Sequence, residues 1–389
     1  MSDKLNILCI NAGNSRTGAP ILFIRLLQFL KNNFPVNLTI LTTTKGALIE
    51  EFKSTGTTYQ WDGWFENINL FDKFYFTRLC KRAFFKIFGV KRDTFQDKIV
   101  LEINKQKIDL IYANSVASLS LLEEIKKRIS LKCKTILHIH ELEIAIDQFS
   151  NVNSLIESRE FVNHYIAVSN AVKNLLINKF NINENSISLI YGCVEPNQKK
   201  QDKESSVFTI CGCGTLDWRK GIDIFIQLAA LFKDEDDINF LWIGGNQDSI
   251  DYKKVMYDID RLKLKNINIT GEVNNPLDYM ASANVFVLTS REDPFPLVCL
   301  ESASLGKPII CFNQAGGMPE FVSDKCGYIV PYLSIESMRD KIYYLKKNKN
   351  IAEKIGNNAF ERVNKFHTID VIAPQIMQLF DKIVKNDSE

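Results

Sequence analysis

Short runs of apolar residues alternate with stretches of helical periodicity along nearly the whole chain. The runs are rich in Ile, Val and Leu at consecutive positions, which is typical of strands that are buried on both faces of a parallel sheet. They form two series. The first series predicts strands at Leu5–Ile10, Val36–Thr42, Asp109–Ala113, Lys134–His140, His164–Val168 and Ser186–Ile190, and the second at Phe208–Cys213, Asn239–Ile243, Ile267–Thr270, Val285–Thr289, Pro308–Phe312 and Gly327–Val330.

Helical spacing of apolar residues fills the intervals between these strands, for example over Pro20–Asn32, Ser118–Arg128 and Asn170–Lys179. Strands that alternate with helices predict an α/β fold in which helices cover both faces of each sheet. The polar stretch Glu195–Ser206 separates the two series and indicates a linker between two Rossmann-like domains. A single large sheet would have to include this charged segment, so we favour two domains.

Composition narrows the class of protein further. The chain has 389 residues, enough for two domains, and a formal net charge of +2, which gives no reason to expect a nucleic-acid partner. Its nine cysteines are scattered, and Cys211 and Cys213 lie within an apolar run, which fits neither a zinc spacing nor a disulfide framework. No apolar run reaches the length of a membrane-spanning helix. We therefore expect a cytoplasmic protein with reduced thiols.

The loops that follow the strands are the expected ligand-binding positions of such sheets. Cys213–Gly221 (CGTLDWRKG) leads from a strand into the helical stretch Ile222–Phe232. Arg219 and Lys220 therefore lie beside a helix N-terminus, where cations are unfavourable unless an anion lies between them. Two solvated surface cations are the alternative interpretation, but the position beside glycines favours a phosphate site.

Other loops of the second series also carry glycine or acidic residues. Trp242–Gly245, Thr270–Val273 and Ala315–Glu320 place glycine where a flat ring or a phosphate can approach the backbone. Arg291–Glu301 (REDPFPLVCLE) contains three acids, Glu292, Asp293 and Glu301, and the last two are eight positions apart. These acids are either a turn and a helix cap or acceptors for the vicinal hydroxyls of a ligand. In the first series, Asn11–Pro20 lacks the spacing of a dinucleotide fingerprint and is a weak signal alone.

As a set, in order and spacing, these motifs resemble glycosyltransferase family 4, whose members are retaining enzymes of the GT-B fold. The resemblance covers nearly the whole chain. The residues that carry it are Gly18 in a Gly-Ala turn, His140-Glu141-Leu142, Ser169 before a helix, Gly192–Glu195, Arg219-Lys220-Gly221, the pair Asp293 and Glu301, and Gly316-Gly317 followed by Pro319-Glu320.

This resemblance implies GT-B architecture, with two doubly wound domains facing each other across a cleft. The domains would be 1–194, on the acceptor side, and 207–365, on the donor side, with the linker 195–206 between them and a helix at 366–389 that packs back toward the first domain. The implied reaction moves a hexose-type sugar from a UDP- or GDP-linked nucleotide sugar, which is a substrate, to a saccharide or lipid-linked acceptor. Such reactions build cell-surface polysaccharide or lipopolysaccharide.

The resemblance also assigns roles to individual residues. Arg219 and Lys220 would stabilise the leaving diphosphate in place of a metal ion, helped by helix amides near Gly317, so neither a metal nor another cofactor is expected. Glu301 would accept from the ribose hydroxyls. The catalytic set is His140, Arg219, Lys220 and Asp293, with Glu292 as the alternative to Asp293, and the donor-binding set is Gly18, Gly214, Gly271, Glu272, Val273, Phe295, Leu297, Glu301, Gly316 and Gly317.

The chain departs from the family pattern at three places. Asp293 and two prolines stand where a Glu-Gly-Phe-Gly sequence is usual, and each proline removes a backbone donor. Thr215 replaces the usual arginine of the phosphate loop, a role we assign instead to Arg219, and Tyr191 replaces an asparagine. We therefore expect the donor sugar to be held in a different way from that usual in the family.

Three other functions fit parts of the pattern. A sugar-nucleotide 2-epimerase shares the two-domain architecture, and a non-catalytic protein of the same fold would bind the nucleotide sugar without turnover. A glycoside hydrolase would also use two carboxylates, but it would leave Arg219 and Lys220 without a role. His138 and His140 have no third ligand at useful spacing, which argues against a metal site.

One further segment suggests contact with a membrane. Phe71–Phe95 carries seven Lys or Arg against two Asp, interleaved with eight aromatic residues. Wound as a helix, it places most aromatic and aliphatic side chains on one side and most basic side chains on the other, which is the pattern of an interfacial helix. The alternative is a helix that packs its apolar face on the first domain. Association with the inner face of the cytoplasmic membrane is thus one option for its location.

This interpretation predicts salt-sensitive binding to anionic liposomes. Each basic residue near such a surface contributes about 1 kcal/mol, which salt screens. Co-sedimentation should therefore fall as salt rises, and should fall again when Arg78, Lys81, Arg82 and Lys86 are changed together to Glu. A wild-type protein that stays in the supernatant at low salt would show that the apolar face is part of the core.

Overall fold

The computed structural model describes residues 4–43, 46–61, 93–129, 132–150, 152–197, 206–323 and 325–385. The segment 71–92, which holds nearly all of the basic and aromatic residues considered for membrane binding, lies outside the described residues, as do 198–205 of the predicted linker. Within the described part of the chain, no helix is long and apolar enough to cross a membrane.

The chain divides into two compact units. The first consists of Met1–Ile166, Leu176–Ser188 and Ile376–Glu389, and the second of Ala167–Leu175 and Leu189–Gln375. The sequence predicts that the first domain ends at residue 194. In the structure, the long segment of the second unit begins at Leu189, six residues earlier than predicted. The end of the chain belongs to the first unit.

The first unit is built on a seven-stranded sheet with the order β3-β2-β1-β4-β5-β6-β7. Strand β1 pairs in parallel with both β2 and β4, and β2–β3 and β4–β5 are also parallel. The strands are β1 Leu5–Asn11, β2 Val36–Thr42, β3 Thr57–Gln60, β4 Leu110–Asn114, β5 Lys134–Ile139, β6 His164–Ala167 and β7 Ile187–Leu189. The helices among them are α1 Gly18–Asn33, α2 Ile49–Thr55, α3 Asp93–Asn104, α4 Leu119–Arg128, α5 Glu143–Phe149, α6 Val152–Glu157 and α7 Asn170–Asn178, of which the part up to Leu175 belongs to the second unit, with short 3-10 turns at Val116–Ser118, Ser158–Glu160 and Glu184–Ser186.

The second unit is built on a six-stranded, wholly parallel sheet with the order β10-β9-β8-β11-β12-β13. The strands are β8 Phe208–Cys213, β9 Ile238–Ile243, β10 Ile267–Ile269, β11 Val285–Leu288, β12 Ile309–Phe312 and β13 Gly327–Val330. The helices are α8 Ile222–Ala230, α9 Ile250–Leu262, α10 Pro276–Ala281, α11 Leu297–Ala303, α12 Met318–Val322, α13 Ile335–Lys347, α14 Lys349–Phe366 and α15 Ile369–Lys385, whose last turns from Ile376 belong to the first unit.

Large aromatic side chains fill the core of the second unit. Phe225 of α8 packs edge-on against Phe240 and Trp242 of β9, with ring centroids 5.4 and 5.1 Å apart. These rings lie so close to β8 that a Cβ on Gly212 would be 2.9 Å from the ring of Trp242. Gly212 therefore provides the space for this aromatic packing.

The two parallel sheets with alternating helices confirm the α/β prediction. Every strand predicted in the two series is present, and the ends agree to within one residue. The edge strand β3 was missed, since its sequence (TTYQ) is polar and no residue of it is fully buried.

In both sheets the strand order reverses next to the first strand of the unit. The reversal falls between β1 and β4 in the first sheet and between β8 and β11 in the second. Chain segments that leave two such strands diverge to opposite sides and open a crevice at the carboxyl edge, where doubly wound proteins bind ligands. In the second unit, these segments are the loop with Arg219 and Lys220 and the loop with Asp293.

Candidate functional site

The loop that follows β8 is held in place by glycine and aspartate. Gly221 is in the left-handed region, with φ of +71°, at the N-cap of α8. A Cβ on this residue would lie 2.0 Å from the carbonyl oxygen of Thr289, so no larger residue fits without movement of the backbone. Asp217 accepts a hydrogen bond from the backbone N–H of Lys220 at 2.8 Å. The loop therefore presents Arg219 and Lys220 from a fixed backbone.

The loop that follows β11 is bound to the loop that follows β12. The N–H of Asp293 donates to the carbonyl oxygen of Ala315 at 2.7 Å, and the N–H of Gly317 donates to those of Asp293 and Pro294 at 3.2 and 3.0 Å. A Cβ on Gly317 would lie 2.3 Å from the Pro294 oxygen. Close contact between the two loops thus requires glycine at position 317. In this arrangement the Asp293 side chain is buried.

Lys220 and Asp293 join the loops after β8 and β11 through an ion pair. The Nζ of Lys220 lies 2.6 Å from Oδ2 of Asp293, and the two side chains are 16% and 5% exposed. The hydroxyl of Ser290 donates to the same carboxylate oxygen at 3.3 Å. A buried charge of this kind is tolerated because its partner is present. The crevice therefore contains one ammonium and one carboxylate, which can bind a phosphate oxygen and a hydroxyl respectively.

Arg219 lies beside this pair and contacts the backbone. Its Nη1 donates to the carbonyl oxygen of Glu292 at 3.1 Å, and its own carbonyl oxygen accepts from the N–H of Arg291 at 2.8 Å. Both predicted cations therefore lie next to the loop that carries the predicted acid. The sequence left open whether Glu292 or Asp293 is the acid of the site. The carboxylate of Asp293 accepts a hydrogen bond from Lys220.

Phe295, Leu297 and Glu301 lie on α11 or directly before it. Phe295 is buried, and a Cβ on Gly192 would be 3.1 Å from Cδ2 of Leu297. Glu301 is half-buried in the second turn of the helix. Burial, and then the charge of Glu301, raise the pKa of Cys213 to about 12. Glu301 therefore lies close to the end of β8, as a residue of the same site should.

Three glycine-containing loops meet at the carboxyl edge of the second sheet. The N–H of Gly244 donates to the carbonyl oxygen of Gly271 at 3.0 Å, and a Cβ on Gly244 would lie 2.6 Å from the carbonyl oxygen of Gly214. Glu272, which is exposed, and Val273, which is half-buried, follow directly. The structure thus brings Gly271 close to Gly214, which lies in the loop that contains Lys220.

Glu320 has a role that sequence reasoning missed. Its carboxylate accepts from the N–H and the side-chain amide of Asn170 at 3.0 and 2.8 Å, from the N–H of Ala171 at 3.2 Å and from the hydroxyl of Tyr191 at 3.1 Å. It therefore caps the first turn of α7. Burial and then the charge of Glu320 raise the pKa of Tyr191 to about 12. These partners are 129 to 150 positions away along the chain, and no local pattern reveals them.

The first unit carries the remaining predicted residues, His140 and Gly18. In the described residues, Nε2 of His140 and Nε2 of His138 are buried without hydrogen-bond partners, and the two rings are 4.0 Å apart. The hydroxyl of Tyr112 lies 2.7 Å from Nδ1 of His138. Burial lowers the pKa of His140 to about 3, so its imidazole is neutral at physiological pH. Gly18 begins α1, and a Cβ there would meet no atom within 4 Å.

Over the ranges that the structure describes, no three His, Cys, Asp or Glu side chains are grouped so that they could hold a metal ion. The described cysteines are free thiols. The arrangement at the carboxyl edge of the second sheet therefore consists of protein cations, carboxylates and glycine-rich backbone.

The ion pair predicts unequal effects of single and double substitutions on stability. Asp293→Asn leaves the Lys220 ammonium buried without a counter-charge, which costs about 3 kcal/mol and lowers the unfolding midpoint by roughly 6–12 °C. Lys220→Met should cost a similar amount, and the double variant should be more stable than either single one. Differential scanning calorimetry of the four proteins measures the coupling.

The exposed pair Lys254 and Asp251 gives the matched control. Their side chains are 67% and 52% exposed, so Asp251→Asn should change stability by less than about 0.5 kcal/mol. Additive losses in the Lys220 and Asp293 double variant would contradict a coupled buried pair.

Solved structures resemble this chain over almost its full length. HepE of Anabaena, crystallised with UDP, has a TM-score of 0.78 at 17% identity, and the match covers 97% of this chain and 100% of that one. A glycosyltransferase from Rickettsia africae has a TM-score of 0.73 at 19% identity, with 98% and 99% covered. At these identities, the likeness establishes the fold.

Curated relatives resemble this chain over shorter stretches. The capsular polysaccharide biosynthesis glycosyltransferase CapM of Staphylococcus aureus is 24% identical over 237 residues, covering 57% of this chain and 62% of CapM. An N-acetylgalactosaminyltransferase of Campylobacter jejuni acting on N,N'-diacetylbacillosaminyl-diphospho-undecaprenol is 22% identical over 43% of each chain. The O-antigen biosynthesis glycosyltransferase WclY of Escherichia coli is 25% identical over 68% of this chain and 77% of WclY. The chain thus spans less than two thirds of the length of the first two.

Two family models match adjacent parts of the chain. The model for glycosyl transferases group 1 matches residues 194–362, and the model for Glycosyltransferase Family 4 matches residues 75–198. The first contains the Lys220 and Asp293 loops, and the second contains His140. With the architecture described above, these matches show that the chain is a glycosyltransferase of the family 4 type and has the GT-B fold.

Proposed function

We propose that this protein transfers a hexose-type sugar from a nucleotide-diphosphate sugar to a saccharide or lipid-linked saccharide. Family membership and the names of the relatives, which include capsular polysaccharide and O-antigen glycosyltransferases, support this assignment. The acceptor class is supported by the Campylobacter jejuni relative, whose name specifies a diphospho-undecaprenol substrate. The reaction would take place in the cytoplasm, with the inner face of the membrane as the place for a lipid-linked acceptor.

The buried pair of Lys220 and Asp293 is the observation that carries the proposal. Their 2.6 Å contact lies where the strand order of the second sheet reverses, and Gly221 and Gly317 allow close backbone approaches in the loops there. A nucleotide sugar presents a diphosphate next to a hydroxylated ring, so it offers an anion to Lys220 and hydroxyl donors to Asp293. The two charges that now pair with each other would each gain a ligand partner.

The remaining roles follow from residue type and position. Arg219, anchored on the backbone of Glu292, adds a second positive charge for the leaving diphosphate. Glu301 accepts hydrogen bonds from the ribose hydroxyls, because a carboxylate can accept from two vicinal donors. His140 contacts the sugar as a neutral imidazole, since burial lowers its pKa to about 3. The glycine-rich backbone at Gly214 and Gly271 receives the nucleotide.

We infer a retaining reaction that needs no nucleophile from the protein. The bond between the anomeric carbon and the diphosphate oxygen breaks, and the acceptor oxygen forms its bond on the same face of the ring. Negative charge develops on the diphosphate oxygens as this bond breaks, and one of these oxygens takes the proton of the acceptor hydroxyl. Lys220 and Arg219 stabilise that charge at the moment at which it forms.

A screen of labelled UDP- and GDP-sugars is the experiment that tests the function. A bound donor that is consumed only when a saccharide or lipid-linked acceptor is added supports transfer, and the anomeric configuration of the product decides between retention and inversion. UDP sugars are our first choice, because the Anabaena neighbour was crystallised with UDP and with UDP-glucose. Isomerised donor without acceptor would indicate an epimerase, free sugar a hydrolase, and binding without turnover a non-catalytic protein.

Glu301→Gln should weaken donor binding and transfer together. A neutral amide cannot accept from both ribose hydroxyls, and the loss of a charge-assisted pair costs about 1.5–3 kcal/mol, which is roughly tenfold to more than a hundredfold in affinity. Calorimetric titration with the donor gives the dissociation constant directly. Glu336→Gln, an exposed acid in the first turn of α13, is the control. Affinity that stays within twofold in Glu301→Gln would refute the ribose assignment.

Activity should persist in EDTA. We assign the neutralisation of the leaving diphosphate to Lys220 and Arg219, so no divalent ion is needed for that step. Initial rates with and without the chelator should agree, whereas Lys220→Ala should reduce turnover more than donor affinity. Loss of activity in EDTA, followed by recovery with magnesium or manganese, would assign the charge to a metal instead.

A further inference from the structure

Trp218 exposes its indole on the loop that carries Lys220. It lies in the loop after β8, two positions before Lys220, and its side chain is 57% exposed. The loop itself is fixed, because Asp217 and Gly221 determine its backbone. A large aromatic ring held on a rigid loop at the rim of a ligand site is a preorganised contact surface.

Arg291 fixes the position of this indole. Its guanidinium lies 5.0 Å from the ring centroid of Trp218, and its Nη1 donates to the Trp218 carbonyl oxygen at 2.8 Å. The same guanidinium binds both carboxylate oxygens of Asp223, at 2.8 and 2.7 Å. Its positive charge is therefore already matched by a carboxylate, and it acts on the indole mainly as a support.

A second exposed aromatic residue lies next to Arg291. The hydroxyl of Tyr332 donates to the Arg291 carbonyl oxygen at 3.4 Å, and the Tyr332 side chain is 43% exposed. We call Trp218, Arg291 and Tyr332 together the indole platform. The platform offers an aromatic face, a phenol oxygen and peptide groups, and its cation is paired with Asp223.

We propose that the indole platform binds a pyranose ring of the substrate by stacking on Trp218. An aromatic face has negative charge density, which complements the weakly positive C–H groups on one face of a pyranose. The hydroxyls at the edge of the ring would then meet the phenol oxygen of Tyr332. The ring belongs either to the donor sugar or to a saccharide acceptor, so the inference rests on the proposed function and names an additional residue of its site.

The inference is supported by a comparison within the chain. Tyr257 on α9 is also exposed, at 60%, and also lies against an arginine, with the guanidinium of Arg261 5.4 Å from its ring centroid. Isolated exposed aromatics of this kind need no ligand to explain them. Trp218 differs because it lies on a glycine-fixed loop at the reversal of strand order, two positions from Lys220. Tyr257 is therefore a matched control.

Direct binding is measured by ¹⁹F NMR of protein labelled with 5-fluorotryptophan. The chain has four tryptophans, and Trp218→Phe identifies the resonance of Trp218 by its loss. The probes are UDP-glucose, UDP and maltoheptaose. A shift of the Trp218 resonance with UDP-glucose but not with UDP assigns the ring to the donor, and a shift with maltoheptaose assigns it to an acceptor. An equal shift with UDP alone, or none with either sugar, overturns the proposal.

Kinetics separate stacking from simple apolar contact. Trp218→Leu should raise the KM of the acceptor, or the dissociation constant of the donor, by about fivefold to tenfold, whereas Trp218→Phe should keep most of the affinity because it retains an aromatic face. Tyr257→Leu should change neither constant. Equal values in wild type and Trp218→Leu, within twofold, would overturn the proposal.

The two hypotheses fail in different ways. A wild-type protein that binds no nucleotide sugar and transfers nothing contradicts the proposed function. The maltoheptaose titration requires neither nucleotide nor turnover, so it decides whether the platform binds a saccharide in that case as well.

Discussion

The ion pair between Lys220 and Asp293 is the interaction on which the candidate site depends. Residues 220 and 293 leave neighbouring strands, β8 and β11, on either side of the point at which the strand order reverses. Without a contact across this point, two loops would diverge over a crevice. The pair holds them 2.6 Å apart at their charged ends, and Gly221 and Gly317 permit the backbone approaches on each side. In the proposed function a ligand uses the same two charges, which would link the stability of these loops to ligand binding.

Much of this arrangement was predictable from the sequence, because it rests on local pattern. Buried parallel strands read as continuous apolar runs, so twelve of the thirteen strands in the described part of the chain were predicted. The missed strand β3 is a polar edge strand with no such signal. The residue types of the site were also predictable, since a cation beside a helix N-terminus and an acid in a proline-containing loop are local features.

Contacts between distant parts of the chain were not predictable. The sequence suggested Lys220 and Asp293 as separate ligand contacts, and their mutual pairing across 73 positions follows only from the order of strands. The hydrogen bonds of Glu320 to Asn170 and Tyr191 likewise join segments that no periodicity relates. Tyr191, where the family pattern has asparagine, thus has a structural partner of its own. The compact units also interleave along the chain, whereas composition suggests one simple boundary.

These distant contacts explain why side-chain cations carry so much of the proposed chemistry in this chain. Pro294 and Pro296 have no N–H to offer a phosphate, and the N–H of Gly317 is already used by the carbonyl oxygens of Asp293 and Pro294. Arg219 is oriented by the Glu292 carbonyl oxygen, and Lys220 by Asp293. Where the usual glycines would offer amides to the diphosphate, the two prolines offer none, so the proposed role falls to Arg219 and to Lys220, whose ammonium Asp293 holds in place. The prolines at 294 and 296 therefore increase the share of the proposed charge stabilisation that falls to side chains rather than to backbone amides.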